Sequence, residues 1–184
     1  MIKISVVTAV LSFACLTAAA GEFKLASTDV ASKATISNKQ VFNGFGCSGE
    51  NVSPALTWSD APAGTQSFAL TVYDPDAPTG SGWWHWVVIN IPANVTSLKA
   101  GAGTADGKLL PAGSQQVRTD FGAAGYGGPC PPAGDKPHRY IFTVYALKVP
   151  KIEVGADATA ALAGFMINAN KLGSATFTAY YGVK

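Results

Sequence analysis

Charge is scarce in this chain. Only 13% of its 184 residues are Asp, Glu, Lys or Arg, about half the share of an ordinary soluble protein. The formal net charge is +2 and no basic run stands out, so the electrostatic footprint of a nucleic-acid binder is missing. There are two histidines, His85 and His138, and three cysteines, with no CxxC and no Cys/His cluster, which removes the usual zinc patterns. No GxSxG marks a serine-hydrolase elbow. Beyond residue 20, no apolar run approaches the ~20 residues of a membrane span. What the chain has instead is 20 glycines and 11 prolines, a composition that suits short strands and many turns.

The first 20 residues read as a secretory signal peptide. Lys3 supplies a basic start, Ile4 to Leu16 an apolar run, and Ala18-Ala19-Ala20 a small-residue cleavage site. A lipoprotein signal around Cys15 is the weaker alternative, because Ser12 stands where such signals carry an aliphatic residue. Cleavage after Ala20 leaves a single domain over residues 21–184 with 12 basic and 11 acidic residues. It also leaves two cysteines, Cys47 and Cys130. In an oxidising compartment such a pair favours a disulfide over two buried thiols. Closing a loop of about eighty residues contributes roughly 4 kcal/mol in the chain-entropy picture.

Along the mature chain, FKLAS and ATIS have strand character, and residues 41–52 form a glycine-rich loop. That loop contains Gly44-x-Gly46-x-x-Gly49, but neither the buried strand nor the opening helix of a dinucleotide fingerprint flanks it. Residues 66–73, 85–91, 139–147 and 176–181 read as strands. Residues 99–118 form a long turn-rich excursion of the kind that is often functional or mobile. One helix is expected over residues 158–172, capped by Asp157, with Leu162, Phe165, Met166 and Ala169 as its buried stripe. The pattern is that of a mostly antiparallel β-protein with a late helix.

Two stretches carry the chemistry. In residues 70–90, LTVYDPDAPTGSGWWHWVVIN, a strand runs into a proline-stiffened acidic turn and returns through three tryptophans around His85. Taken alone, Asp74 and Asp76 are turn residues that cap backbone amides, and His85 is a core histidine bonded across its own hairpin. Strict alternation places His85, Val87 and Ile89 on one face and Trp84, Trp86 and Val88 on the other. In residues 126–147, YGGPCPPAGDKPHRYIFTVYAL, Gly127 and Gly128 supply amides that could point at an anion. His138 and Tyr140 then share a face, with Arg139 opposite.

Together, DPDAP with WH and GPCPPAGDKPHRY resemble the phosphatidylethanolamine-binding protein family. The likeness is nearer to its bacterial YbhB/YbcL branch and the exported members of that branch, and SPALTW and WWHWVVINIP extend it over the mature chain. The resemblance implies a β-sandwich of two antiparallel sheets with short helices, one near the C-terminus, and a small anion pocket near one end. It implies that Asp74, His85, His138 and Tyr140 line that pocket, that Asp76 holds the loop in shape, and that Tyr126 stands at the pocket loop. Cys130 takes the place of a glycine whose amide faces the anion, and a Cys47–Cys130 bond would pin the pocket loop to residues 41–52. The resemblance also makes Asp74–Pro75 the candidate for a cis peptide.

The function so implied is a periplasmic binding or regulatory protein for a phosphoryl or carboxyl group, such as phosphoethanolamine. It has no catalytic residue, cofactor or metal, and its partner is a small anion. Falling pH through the histidine range is expected to tighten binding, with an aspartate stabilising a protonated imidazole. Two alternatives stay open: a protein-interaction modulator acting through its surface, and a hydrolase. The hydrolase lacks a nucleophile, since Ser81 sits in a Gly-Ser-Gly turn with no evident partner.

Overall fold

β-Branched and aromatic residues crowd three apolar stretches, and these become the centre of one sheet. The computed structural model describes residues 21–183, so the expected signal peptide lies outside the described residues. In chain order the strands are β1 (Lys24–Ala26), β2 (Asn43–Gly44), β3 (Cys47–Ser48), β4 (Leu56–Ser59), β5 (Ser67–Asp74), β6 (Trp83–Pro92), β7 (Ser97–Leu98), β8 (Gln115–Gln116) and β9 (His138–Leu147). Helix α1 (Ala160–Asn170) and β10 (Lys171–Tyr181) complete the chain. A five-stranded sheet has the order β10-β9-β5-β6-β8, and a three-stranded sheet the order β1-β4-β7. All the strand pairs are antiparallel. The β2–β3 hairpin stands apart and absorbs the glycines of residues 44–49, so the dinucleotide-like spacing there is hairpin geometry.

The large sheet is covered on both faces, which is why β5 and β6 read as nearly continuous apolar runs. Toward the small sheet, Phe68, Leu70, Val72, Trp86, Phe142 and Phe177 pack with Leu56 and Trp58. On the opposite face Ala69, Val87, Ile89 and Leu147 pack with Ile152 and with Ala160, Ala163 and Ile167 of α1. Side chains this deeply buried stabilise the fold by roughly 1.5–3 kcal/mol each.

Several expectations need correction. Strict alternation fails in β6 because the strand bulges twice. Tyr73 pairs with Trp84 and Val72 with Trp86, so His85 is an extra residue and every side chain beyond it changes face. Trp84 joins Val87 and Ile89, while His85 packs against Tyr140 on the face of Trp86 and Val88. The second bulge lies at Asn90, whose φ is 60° and whose side chain pairs with both backbone groups of Ile152.

The helix is capped by Thr159, whose hydroxyl accepts the Leu162 amide at 3.2 Å, rather than by Asp157. Its buried face is Ala160, Ala163 and Ile167. Leu162 and Phe165 are 46% and 70% exposed, Ala169 is exposed and Met166 is half-buried. Small residues let the helix lie close on the sheet, and Gly164 sits against Trp84, so size misled the reading of the stripe. ATIS forms only one bridge, Thr35 to Tyr180. Among the described residues no peptide is cis, Asp74–Pro75 included; the Asp74 carboxylate instead accepts the Asp76 amide at 2.8 Å and closes the turn around a trans bond. The excursion at residues 99–118 is turn-rich but ordered against the sheet edge. Gln115–Gln116 pair with β6, and the Trp86 indole donates to Gln116 Oε1 at 2.7 Å.

Candidate functional site

The site lies where β5, β6 and β9 end together. Asp74 closes β5 opposite Trp83 of β6, and the neighbouring register brings His138 and Tyr140 of β9 to the same end. A chain leaving a strand here would expose a carboxylate, but DPDAP folds back through the Asp74–Asp76 turn. The two carboxylates then clamp consecutive residues of β9. Asp74 Oδ2 accepts His138 Nδ1–H at 2.8 Å, both groups being buried. Asp76 accepts the Arg139 amide and Nε at 2.9 Å and Nη2 at 2.6 Å. The guanidinium beside Asp76 lowers its carboxyl to about 2. His138 Nε2 has a second carboxylate, Asp135, at 3.5 Å.

His85 is held differently. Its Nδ1 stands 2.7 Å from the carbonyl oxygen of Gly127, while the Gly127 amide donates back to the His85 carbonyl at 2.9 Å. The imidazole is edge-on to Phe121 and Tyr140, with ring centroids 5.4 and 5.1 Å away. Burial in this setting pushes its pKa down to about 4, against smaller opposing effects of the Gly127 carbonyl and Asp74. The expectation of a histidine cation stabilised by aspartate therefore fails at His85, which stays neutral across the ordinary histidine range.

The loop of residues 126–130 is laid against residues 40–51. Gly128 donates to Asn51 Oδ1 at 2.8 Å, the Phe42 amide donates to Pro129 at 3.0 Å, and a Cβ at Gly128 would overlap the Gln40 carbonyl. Cys47 and Cys130 complete the seam with a disulfide. The amides of Gly127 and Gly128, expected to face an anion, are thus used within the fold. The Cys130 amide has no acceptor among the described residues.

These groups surround a cavity of about 160 Å³. Asp74, His85, Cys130, His138 and Tyr140 all line it, so five of the seven anticipated residues come together. Asp76 faces the adjoining surface with Arg139. Tyr126 is buried behind the site, where its hydroxyl donates to the Gln40 carbonyl at 3.0 Å and its ring meets Trp86 edge-on. The Tyr140 hydroxyl has no hydrogen-bond partner among the described residues, and burial beside Asp74 pushes its pKa up, so it remains a proton donor. Of the aromatic walls, only Trp83 comes from the tryptophan run whose cost of exposure marks it as buried or walling a cavity; Phe45 and Phe121 were not anticipated. Phe45, Phe121 and Trp83 form the walls with Pro78, Pro131 and Pro132; Phe45 stacks on Phe121 at 5.9 Å and is 74% exposed. The available hint was an aromatic residue two positions before Cys47, in a loop the disulfide would hold.

Other chemistry is limited. Thr79, also on the wall, donates its hydroxyl to the Gly82 carbonyl, and Cys130 is in the disulfide. Among the described residues no three His, Cys, Asp or Glu gather as metal ligands, and no helix is long and apolar enough to cross a membrane.

The sequence pattern of the family described as Phosphatidylethanolamine-binding protein matches residues 26–182. YbcL of Escherichia coli is 54% identical over 182 residues, covering 99% of this chain and all of YbcL. YbhB of the same organism is 50% identical, covering 86% of this chain and 99% of YbhB. The crystal structure of Escherichia coli YbcL, described as a new member of the mammalian PEBP family, superposes with a TM-score of 0.87 over 89% of this chain and all of that one, at 56% identity. A candidate lipoprotein of Mycobacterium tuberculosis, LppC, is 46% identical over 124 residues, 65% of this chain and 57% of LppC.

Proposed function

The chain belongs to the phosphatidylethanolamine-binding protein family, and from that premise we propose that it is an exported, non-catalytic protein that binds a small phosphoryl or carboxyl group in the cavity at the end of β5, β6 and β9. One observation carries the reading. Asp74, His85, His138 and Tyr140 meet at the floor of a small aromatic-walled cavity, and the Tyr140 hydroxyl and Cys130 amide point no hydrogen at any described acceptor. A hydroxyl and an amide that belong to cavity-lining residues and are not used by the fold are free to bond a ligand. The aromatic walls accept whatever the oxyanion is attached to.

Catalysis is disfavoured by the same geometry. The cavity's aliphatic hydroxyl and its sulfur, Thr79 and Cys130, are both engaged, burial keeps the Tyr140 hydroxyl protonated, and the imidazoles are bonded to a carboxylate and a carbonyl rather than to a nucleophile. Export is supported by the basic-apolar-small pattern of residues 1–20, by the disulfide and by the likeness to LppC. Mass spectrometry of the protein from its own compartment is expected to find a chain beginning at Gly21.

Titration calorimetry with phosphoethanolamine tests the site. Binding is expected in the native protein, and a loss of at least about tenfold in His138→Ala and in Tyr140→Phe, since tenfold corresponds to one good hydrogen bond. Unchanged affinity in His85→Ala and His138→Ala alike removes the cavity from the function. The 74% exposure of Phe45 favours, as a second reading, a protein partner docking at the mouth. Partners that survive loss of both histidines in a pull-down would select it.

A further inference from the structure

The hydrogen bonds of the cavity distinguish one kind of oxyanion from another, a distinction that rests on the oxyanion reading of the site. A carbonyl oxygen can only accept a hydrogen bond. The 2.7 Å contact between His85 Nδ1 and the Gly127 oxygen therefore fixes the single proton of the neutral ring on Nδ1. The Gly127 amide donates to the His85 backbone carbonyl, which holds the Gly127 carbonyl in place beside the ring, and turning the ring over would break the Nδ1 contact. Nε2 is left as a bare lone pair, with no partner among the described residues, on a side chain that lines the cavity.

A second proton on that ring is opposed by burial, which holds the imidazole near 4. The charged and titratable groups that face it do not reverse this. Asp74 of β5 is engaged by His138 and the Asp76 amide. Asp120, preceding Phe121, is engaged by the Trp84 amide at 2.7 Å. Tyr140 of β9 presents a neutral ring, and the Gly127 and Gly128 backbone completes the set.

The floor is thus mixed. Tyr140 and Cys130 offer hydrogens, and His85 Nε2 demands one. Sulfate, a carboxylate and a phosphodiester have only lone pairs to present, and one of these would meet the lone pair of Nε2. A phosphoryl group that keeps one proton satisfies both demands: its P–OH donates to Nε2 while its remaining oxygens accept. We propose that the cavity selects the singly protonated phosphoryl group, as inorganic phosphate or a phosphate monoester, and discriminates against sulfate, carboxylates and the phosphodiester of an intact phospholipid headgroup.

The test uses three probes of one skeleton on the mature, oxidised protein: 2-aminoethyl phosphate, 2-aminoethyl sulfate and glycerophosphoethanolamine, titrated calorimetrically from pH 5.5 to 8. The phosphate monoester is expected to bind at least about tenfold tighter than either other probe at pH 5.5. The advantage should shrink as pH rises past its second ionisation, near 6. The sulfate ester and the diester should stay weak throughout, so free monoester and lipid headgroup are told apart. If the sulfate ester or the diester matches the monoester, the oxyanion site stands and the selection is overturned. If none binds, both readings fall. Nitrogen-15 NMR of the ring gives a second readout that needs no variant. At pH 7 His85 Nε2 is expected to resonate as an unprotonated nitrogen and to shift when the phosphate ester, but not the sulfate ester, is added. A protonated Nε2 in the free protein overturns the proposal.

Discussion

His85 and His138 line the same cavity and are almost equally buried, at 4% exposure each, yet the fold gives them opposite neighbours. His138 hangs between two carboxylates, Asp74 and Asp135. His85 donates to a peptide carbonyl and is otherwise enclosed by rings. The first arrangement comes from an acidic turn that folds back onto the start of a neighbouring strand. The second comes from a bulge that pushes one extra residue out of register toward a glycine loop. A histidine's role follows from what its Nδ1 is given to bond, and here one ring is tied into a charge network while the other is a neutral acceptor.

The largest expected effect breaks the His138 side. Asp74→Ala leaves a buried imidazole and the Asp76 amide without their acceptor, and should cost roughly 3–5 kcal/mol of unfolding free energy in urea. A loss below about 1 kcal/mol would mean the pair is not stabilising. Next comes the seam behind His85. Replacing Cys47 and Cys130 by serine should cost roughly 2–4 kcal/mol and move the ring-nitrogen signals of His85, whose carbonyl partner lies on the tethered loop, more than those of His138. Equal movement would erase the distinction drawn between them.

Acid probes His85 itself. Its folded pKa of about 4 lies below the ordinary 6.5, so the unfolded chain takes up the proton first. The associated stability is complete above pH 6.5, falls as pH drops toward 4, and falls no further below that; the ceiling is roughly 3 kcal/mol. Denaturation at pH 7, 5.5 and 4 should show this slope, and His85→Gln should flatten it. The smallest effect belongs to Asp76 and Arg139, which are partly exposed. Arg139→Ala should cost the least of these variants, because solvent screens an exposed ion pair. Because the Asp76 carboxyl is lowered from 3.8 to about 2, that contribution is present above pH 4 and disappears as pH falls to 2; the variant should lack this last acid step.

Much of the sheet was legible because its strands are long and strongly apolar: the expected spans 66–73, 85–91 and 139–147 differ from β5, β6 and β9 by one or two residues. The meeting of Asp74, His85, His138 and Tyr140 was legible only as a family likeness, since they come from three strands and no spacing rule links them. What stayed hidden was local. A bulge leaves no composition mark, so the face of His85 came out wrong. The glycine amides were claimed by Asn51 and His85, partners 77 and 42 residues away in sequence, which no window along the chain reveals. Leu162 and Phe165 drew attention by size, although close approach to a flat sheet rewards Ala160 and Ala163.

The bond between Cys47 and Cys130 also has a consequence in time. Phe45 stands two residues from one end of it and Pro131 beside the other, so a reduced chain is expected to keep the same sheet and the same histidines with a looser mouth. Oxidation moves the entropy of ordering that wall out of the binding step and into maturation. On the binding reading proposed above, a ligand then meets a rim already set, and its residence time becomes a property of how the chain was finished as well as of how it folded.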